Sequence, residues 1–94
     1  MTTTDLDDRF RPTAQAHARR FDREVVVLDL GGGKYYSLDE VGAVIWEKLT
    51  SGLSLGEVVE QIAAAYDVDE ETALRDARRI TGELVAAGLL ERQT

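Results

Sequence analysis

The sequence predicts an α+β domain in which a three-stranded antiparallel sheet is followed by three helices. Three observations carry this. A β-branched run, Glu24 to Leu30, leads through three glycines into a second short run, Gly33 to Leu38. Apolar residues then recur at helical spacing from Val41 onward, in three blocks separated by polar or glycine breaks. The strands precede the helices and do not alternate with them, which places the helices on one face of an antiparallel sheet.

Each element has its own warrant. Residues 1–8 are polar and acidic and read as a disordered N-terminal tail, with a single domain over residues 9–94. Phe10 is expected to tuck onto the core. Ala14 to Phe21 alternates small and polar residues, so it reads as a short strand, with a helical turn as the alternative. In the run Val25-Val26-Val27-Leu28, the residues Val26, Leu28 and Leu30 are assigned to the core face. Gly31-Gly32 at the centre of the turn sets Asp29 opposite Lys34 and Leu28 opposite Tyr35. Asp39 is an N-cap, with Glu40 in the first turn where the helix dipole favours a carboxylate. Val41, Val44, Ile45 and Leu49 form the first helical stripe, and Gly52 is the stop. Ser54-Leu55-Gly56-Glu57 fits the S-x-x-E capping box and opens a second helix striped by Leu55, Val58, Val59 and Ile62. Asp69 caps a third helix carrying Ala73, Ala77, Ile80 and Leu84, ended by Gly88. Leu89 and Leu90 are expected to fold back onto the core. A hairpin with short helices also describes a winged helix-turn-helix.

Composition excludes several classes of function. The 94 residues allow one modest core. No run approaches the roughly 18 apolar residues of a membrane helix, and the acidic N-terminus is not a secretory signal, so no membrane partner is expected and the chain reads as cytoplasmic. With no cysteine and one histidine, His17, neither a thiolate metal site nor a cysteine nucleophile exists, and no metal or cofactor is expected. The net charge is −7. Five acids and five arginines balance within residues 1–24, leaving 13 acids against 6 bases in residues 25–94. A domain this acidic repels a phosphate backbone, so nucleic acid is not the expected partner.

Four motifs invite sharper readings. Gly31-Gly32-Gly33-Lys34 suggests a phosphate loop, but that pattern needs a glycine where Leu28 stands and a Ser or Thr where Tyr35 stands. The glycines also precede a strand, so no helix N-terminus points at them; a hairpin turn is favoured. Ser37-Leu38-Asp39 lies near a helix start, as in acyl carrier proteins, but those place the aspartate before the serine. Arg75, Arg78 and Arg79 lie on the third helix, the recognition helix of a winged-helix DNA regulator. The acids at 70, 71, 76 and 83 outnumber them, and this reading is kept as the alternative. No Ser-His-Asp or paired-carboxylate constellation is present, so no catalytic residue is assigned and the chain is read as a non-enzyme.

The fourth is the strand bearing Tyr35 and Tyr36. In a meander it has one free edge, and unpaired N–H and C=O groups there are a template for another strand. Only Lys34 defends it. Strand addition, in which the backbone ladder gives affinity and side-chain pockets give specificity, competes with cover by the chain's own N-terminus.

The run Lys34-Tyr35-Tyr36-Ser37-Leu38-Asp39-Glu40-Val41-Gly42-Ala43-Val44-Ile45-Trp46 resembles the strand-to-helix junction of PqqD-like proteins. So do Ala65-Tyr66-Asp67 and the ending Leu84-Val85-Ala86-Ala87-Gly88-Leu89-Leu90. The resemblance covers about residues 10–92. It implies a recognition element for ribosomally made, post-translationally modified peptides, with a winged helix-turn-helix-like fold. It implies no activity of its own, and binding of a precursor's leader region as an added strand on the third strand, against the third helix. Carried onto this chain, the peptide-binding residues are Gly33, Lys34, Tyr35, Tyr36 and Ser37 on the strand, and Ala73, Asp76, Ala77 and Ile80 on the helix, with Arg75 and Arg79 placed to flank the groove. The implied partners are the precursor leader peptide and either a cysteine leader protease or a radical-SAM maturase. The Lys-Tyr-Tyr-x-Leu-Asp pattern is most similar to the free-standing recognition proteins of lasso-peptide biosynthesis.

Overall fold

The computed structural model describes residues 6–93. Eight elements follow in order: β1 (Arg9–Pro12), β2 (Ala16–Phe21), β3 (Glu24–Asp29), β4 (Lys34–Leu38), α1 (Glu40–Thr50), α2 (Leu55–Tyr66), α3 (Glu70–Ala86) and β5 (Leu90–Gln93). The sheet β2-β3-β4 is an antiparallel meander, and the three helices follow it, as expected. Of the two readings of Ala14 to Phe21, the strand holds.

The hairpin register agrees with the sequence reading: Asp29 faces Lys34 and Leu28 faces Tyr35. Asp29 also shapes the turn. Its carboxylate accepts the N–H groups of Gly31 and Gly32, both at 3.1 Å, while its carbonyl accepts from Gly33 at 2.8 Å. Gly33 sits at φ +73°, where a side chain would be strained. Asp29 thus builds the turn, with no ion pair to Lys34.

The core face of β3 is the opposite of the one expected. Val25 and Val27 are buried, Val26 and Leu28 only half-buried, and Leu30 exposed. Val25 stands across from Leu38 and Val27 from Tyr36, so those four side chains share the face beneath the helices. A run of four consecutive apolar residues carries no period-two signal, which is why its parity was not legible.

The helix boundaries follow their caps. Asp39 Oδ1 accepts from Gly42 N at 2.9 Å, Ser54 and Glu57 form the reciprocal capping box, and Asp69 Oδ1 accepts from Thr72 N at 2.7 Å. Gly52 and Gly88 take left-handed conformations just beyond α1 and α3. The buried stripes Ile45, Trp46 and Leu49 of α1, Leu55, Val58 and Ile62 of α2, and Ala73, Ala77, Ile80 and Leu84 of α3 converge with Val25, Val27, Leu89 and Leu90 on one core.

A second, two-stranded sheet was not foreseen: β1 pairs antiparallel with β5. Each strand buries one side chain, Phe10 or Leu90, and exposes the rest. Four residues with one inward position give no periodicity to read. Ahead of β1, the backbone carbonyls of Leu6 and Asp8 accept the N–H groups of Gly56 (2.8 Å) and Leu55 (2.9 Å), satisfying open donors in the first turn of α2. The expected tail, residues 1–8, therefore begins to pack by Leu6; residues 1–5 lie outside the described part.

Candidate functional site

β4 is the terminal strand of the meander, so one side of its backbone ladder has no partner among the described residues. The competing reading, cover by the N-terminal segment, does not hold for residues 6–12. That segment runs instead along α2 and pairs with β5 at a separate sheet. In an antiparallel ladder alternate residues direct both N–H and C=O away from the paired neighbour. A five-residue edge thus offers a row of donors and acceptors to an incoming strand.

The side chains of β4 alternate in the same way. Tyr36 and Leu38 face the helices and are half-buried against the core. Tyr35 and Ser37 face the other side; Tyr35 is 67% exposed beside Leu28. Lys34 is exposed at the strand's start and Gly33 lies in the turn before it. Leu38 leads directly into α1 through the Asp39 cap. At Gly42 a Cβ would stand 3.3 Å from both Leu38 Cβ and Asp39 Oδ1, so a glycine lets the helix start close against the strand.

α3 packs mainly on α2, α1 and β5. Between α3 and the C-terminal end of β4 lies an open groove of about 180 Å³. Ser37, Leu38, Asp39 and Gly42 form one wall; Arg79, Ile80 and Glu83 form the other. Arg79 and Glu83 pair across one helical turn at 3.7 Å. Leu38 and Ile80 are its apolar side chains, and the rest of the lining is largely polar, with both signs of charge present.

The structure brings some of the expected residues together and removes others. Lys34 through Ser37 lie on the free edge, with Gly33 in the turn that leads into it. Asp76 is half-buried on α3, one turn before Arg79 and Ile80. Ala73 and Ala77 are not groove residues: at 2% and 0% exposure they pack into the core. Ile80 is also a core residue, yet it lies at the boundary and contributes to the groove lining. The physical reason is that one apolar stripe on α3 faces the core, and a groove beside it must be made by the next residues round the helix, Asp76, Arg79 and Glu83. Arg79, expected to flank the groove, lines it, and Glu83, Leu38, Asp39 and Gly42 line it without having been assigned to it. The 3-4-7 spacing of residues 76, 79, 80 and 83 was the available signal.

Among the described residues no group of three or more His, Asp or Glu side chains is placed to hold a metal ion, and no helix is long and apolar enough to cross a membrane.

Comparison with known proteins agrees with this geometry. The sequence profile described as coenzyme PQQ synthesis protein D (PqqD) matches residues 24–90. No protein of curated function matches significantly. Two solved structures share the fold. One, TbiB1 in complex with the TbiA(beta) leader peptide, is 38% identical, with a TM-score of 0.81 over 86% of this chain and 94% of that one. The other, a lasso peptide synthetase B1 complexed with the leader peptide, is 26% identical, with a TM-score of 0.82 over 88% of this chain and 98% of that one.

Proposed function

The chain belongs to the PqqD family, and on that premise we propose that it is a recognition element that binds the leader region of a ribosomally made precursor peptide and has no catalytic role. The free edge of β4 beside an open groove on α3 is the observation that carries this reading. An incoming leader strand would extend the meander, taking its hydrogen bonds from the outward amides of Lys34–Leu38. Its side chains would then alternate between the outer face, beside Tyr35, and the groove lined by Leu38, Ile80, Arg79 and Glu83. An apolar leader side chain buried in that groove contributes about 1.5–3 kcal/mol. Two such anchors and a backbone ladder reach micromolar affinity after association costs.

Both structural relatives hold a leader peptide, and the one described as a lasso peptide synthetase B1 favours a lasso-peptide pathway. There the leader-bound protein presents its precursor to a cysteine leader protease in the cytoplasm, where the precursor is made. A radical-SAM maturase, the other partner that the resemblance implies, is the one to try next. Fluorescence polarisation with the leader of the neighbouring precursor gene tests the proposal. Saturable binding in the micromolar range is expected; no saturation below about 100 µM would sink the idea, since an adaptor that weak delivers little.

A further inference from the structure

Strand addition to β4 fixes more than a backbone ladder. A pleated strand sends every second side chain to each face of its sheet. An added leader strand therefore places about half of its side chains away from the groove, on the outer face of the meander, whichever way it runs. The residues already on that face decide what those side chains meet. The helices cover only the other face, that of Val25 and Val27.

The outer face is uneven in composition. An antiparallel sheet with one solvated face ordinarily carries polar residues there. On β2 this holds: His17 and Arg19 are polar, and Arg19 Nε donates to His17 Nε2 at 3.2 Å. Toward β4 the rows turn apolar. His17 stands across from Leu28, and Leu28 across from Tyr35; Arg19 stands across from Val26, and Val26 across from Ser37. Leu30 continues the β3 side of this patch past the end of the strand, where its N–H still donates to Gln15 O at 2.8 Å. Tyr35 and Leu30, at 67% and 66%, are the most exposed large apolar side chains among the described residues. Phe21, exposed two residues beyond Arg19 and opposite Glu24, lies off the patch. The apolar surface thus leans toward the edge at which a leader adds. It ends there on Tyr35, which has Leu28 on one side and no strand on the other among the described residues. A contiguous exposed apolar patch marks a contact surface.

We infer that Tyr35, backed by Leu28, is a specificity-determining residue that reads the outward side of the leader: the leader residue directly opposite it is aliphatic or aromatic, and the outward residue two positions away, opposite Ser37, is free to be polar. The inference rests on the leader-binding reading and adds a second face to it, since the groove on α3 reads only the inward side chains. Directly opposed residues bring their Cβ atoms to about 4.5–5.5 Å, and aromatic–aromatic and aromatic–β-branched pairs are favourable at that distance. An apolar side chain there covers the Tyr35 ring and extends the row that begins at Leu28. A charged one stays in water and leaves the ring bare. Ser37 presents a hydroxyl, which a polar side chain or water satisfies equally well.

A double-mutant cycle across the interface tests this. The probe is a fluorescein-labelled synthetic leader of the neighbouring precursor, with each position in turn replaced by alanine, titrated by polarisation against wild type and Tyr35→Ala. At one leader position, natively apolar, alanine is expected to weaken wild-type binding about fivefold and to change binding to Tyr35→Ala hardly at all, which is the coupling of a cross-strand pair. The positions on either side of it point toward the groove, and alanine there should cost as much in Tyr35→Ala as in wild type. Glutamate at the coupled position should weaken wild type at least as much as alanine. Tyr35→Lys sets an opposite charge across from that glutamate and should recover about threefold or more. A tyrosine that only supported the sheet would couple to no single leader position. The proposal is overturned if wild type binds the leader and no position couples to Tyr35, or if the coupled residue is charged. A wild-type dimer in light scattering that Tyr35→Ala disperses also overturns it, since a second copy then occupies the face. Failure of wild type to bind the leader at all removes the functional reading first, and the role of Tyr35 with it.

Discussion

Tyr35 and Tyr36 are neighbours in sequence with opposite surroundings, and the difference predicts opposite mutant behaviour. Tyr36 is half-buried across from Val27, so Tyr36→Ala removes packing and should cost roughly 2 kcal/mol, about half the value for a fully buried aromatic. Tyr35 is 67% exposed, so Tyr35→Ala should leave urea stability within about 0.5 kcal/mol of wild type while weakening leader binding. Urea melts and leader titrations on both variants check this. Ile80 belongs with Tyr36: an aspartate there would bury an unpaired charge in the core, and circular dichroism should show lost structure before any binding effect can be read. A third residue-scale expectation concerns pH. The Glu57 carboxylate accepts the Ser54 backbone N–H at 2.8 Å, which holds its pKa below the usual glutamate range. Thr72 N–H does the same for Asp69. A carboxylate depressed in the folded state stabilises above its unfolded pKa and loses that contribution as pH falls through the folded one. Tm should therefore be level near neutrality and fall below the ordinary carboxylate range. Glu57→Gln, which cannot titrate, should flatten part of that fall.

At the scale of elements, the β4 edge makes a prediction that side chains do not. Lys34 and Tyr35 are both exposed, so replacing either by proline removes little packing. Their N–H groups point in opposite directions, one into the ladder with β3 and one to the free edge. Proline deletes the N–H at each. One of the two variants should lower Tm, and the other should keep Tm and lose leader affinity by tenfold or more. If both lower Tm alike and bind alike, strand addition at β4 is wrong. The helices were legible from sequence because each carries its own start signal: Asp39, Ser54 and Asp69 all cap where the pattern places them. The hairpin register was legible because the glycines restrict the turn. The burial parity of β3 and the β1–β5 pairing were not, since the first has apolar residues on both faces and the second depends on two segments some 80 residues apart. Half of the candidate site was legible for the same reason. An edge strand shows in local order, but the α3 flank that faces it depends on how the helix is rotated about its axis. That rotation is set by Leu84, Ala77 and Ile80 seating in a core built by the rest of the chain.

At the scale of the whole molecule, a leader that adds a strand couples binding to global stability. The free sheet has three strands, and its terminal strand is held on one side only. A ligand that binds the folded state alone raises unfolding free energy by RT ln(1 + [L]/Kd), or about 2.7 kcal/mol at a hundredfold excess over Kd. For a domain of this size each kcal/mol moves Tm by about 4–8 °C, so saturating leader should raise Tm by about 10–20 °C. Its distribution separates strand addition from attachment elsewhere. Amides of β4 should gain most in hydrogen-exchange protection, because the added ladder bonds half of them directly and ties the edge of the sheet to the groove on α3. Amides of β2, at the other edge, should gain only what the global stabilisation gives. The interaction rests on backbone hydrogen bonds and apolar anchors in a chain of net charge −7. Its affinity should thus change little between 50 and 200 mM salt, where a protein making six or more phosphate contacts would lose about a thousandfold or more. A steep salt dependence, or protection centred on β2, would place the leader somewhere other than β4.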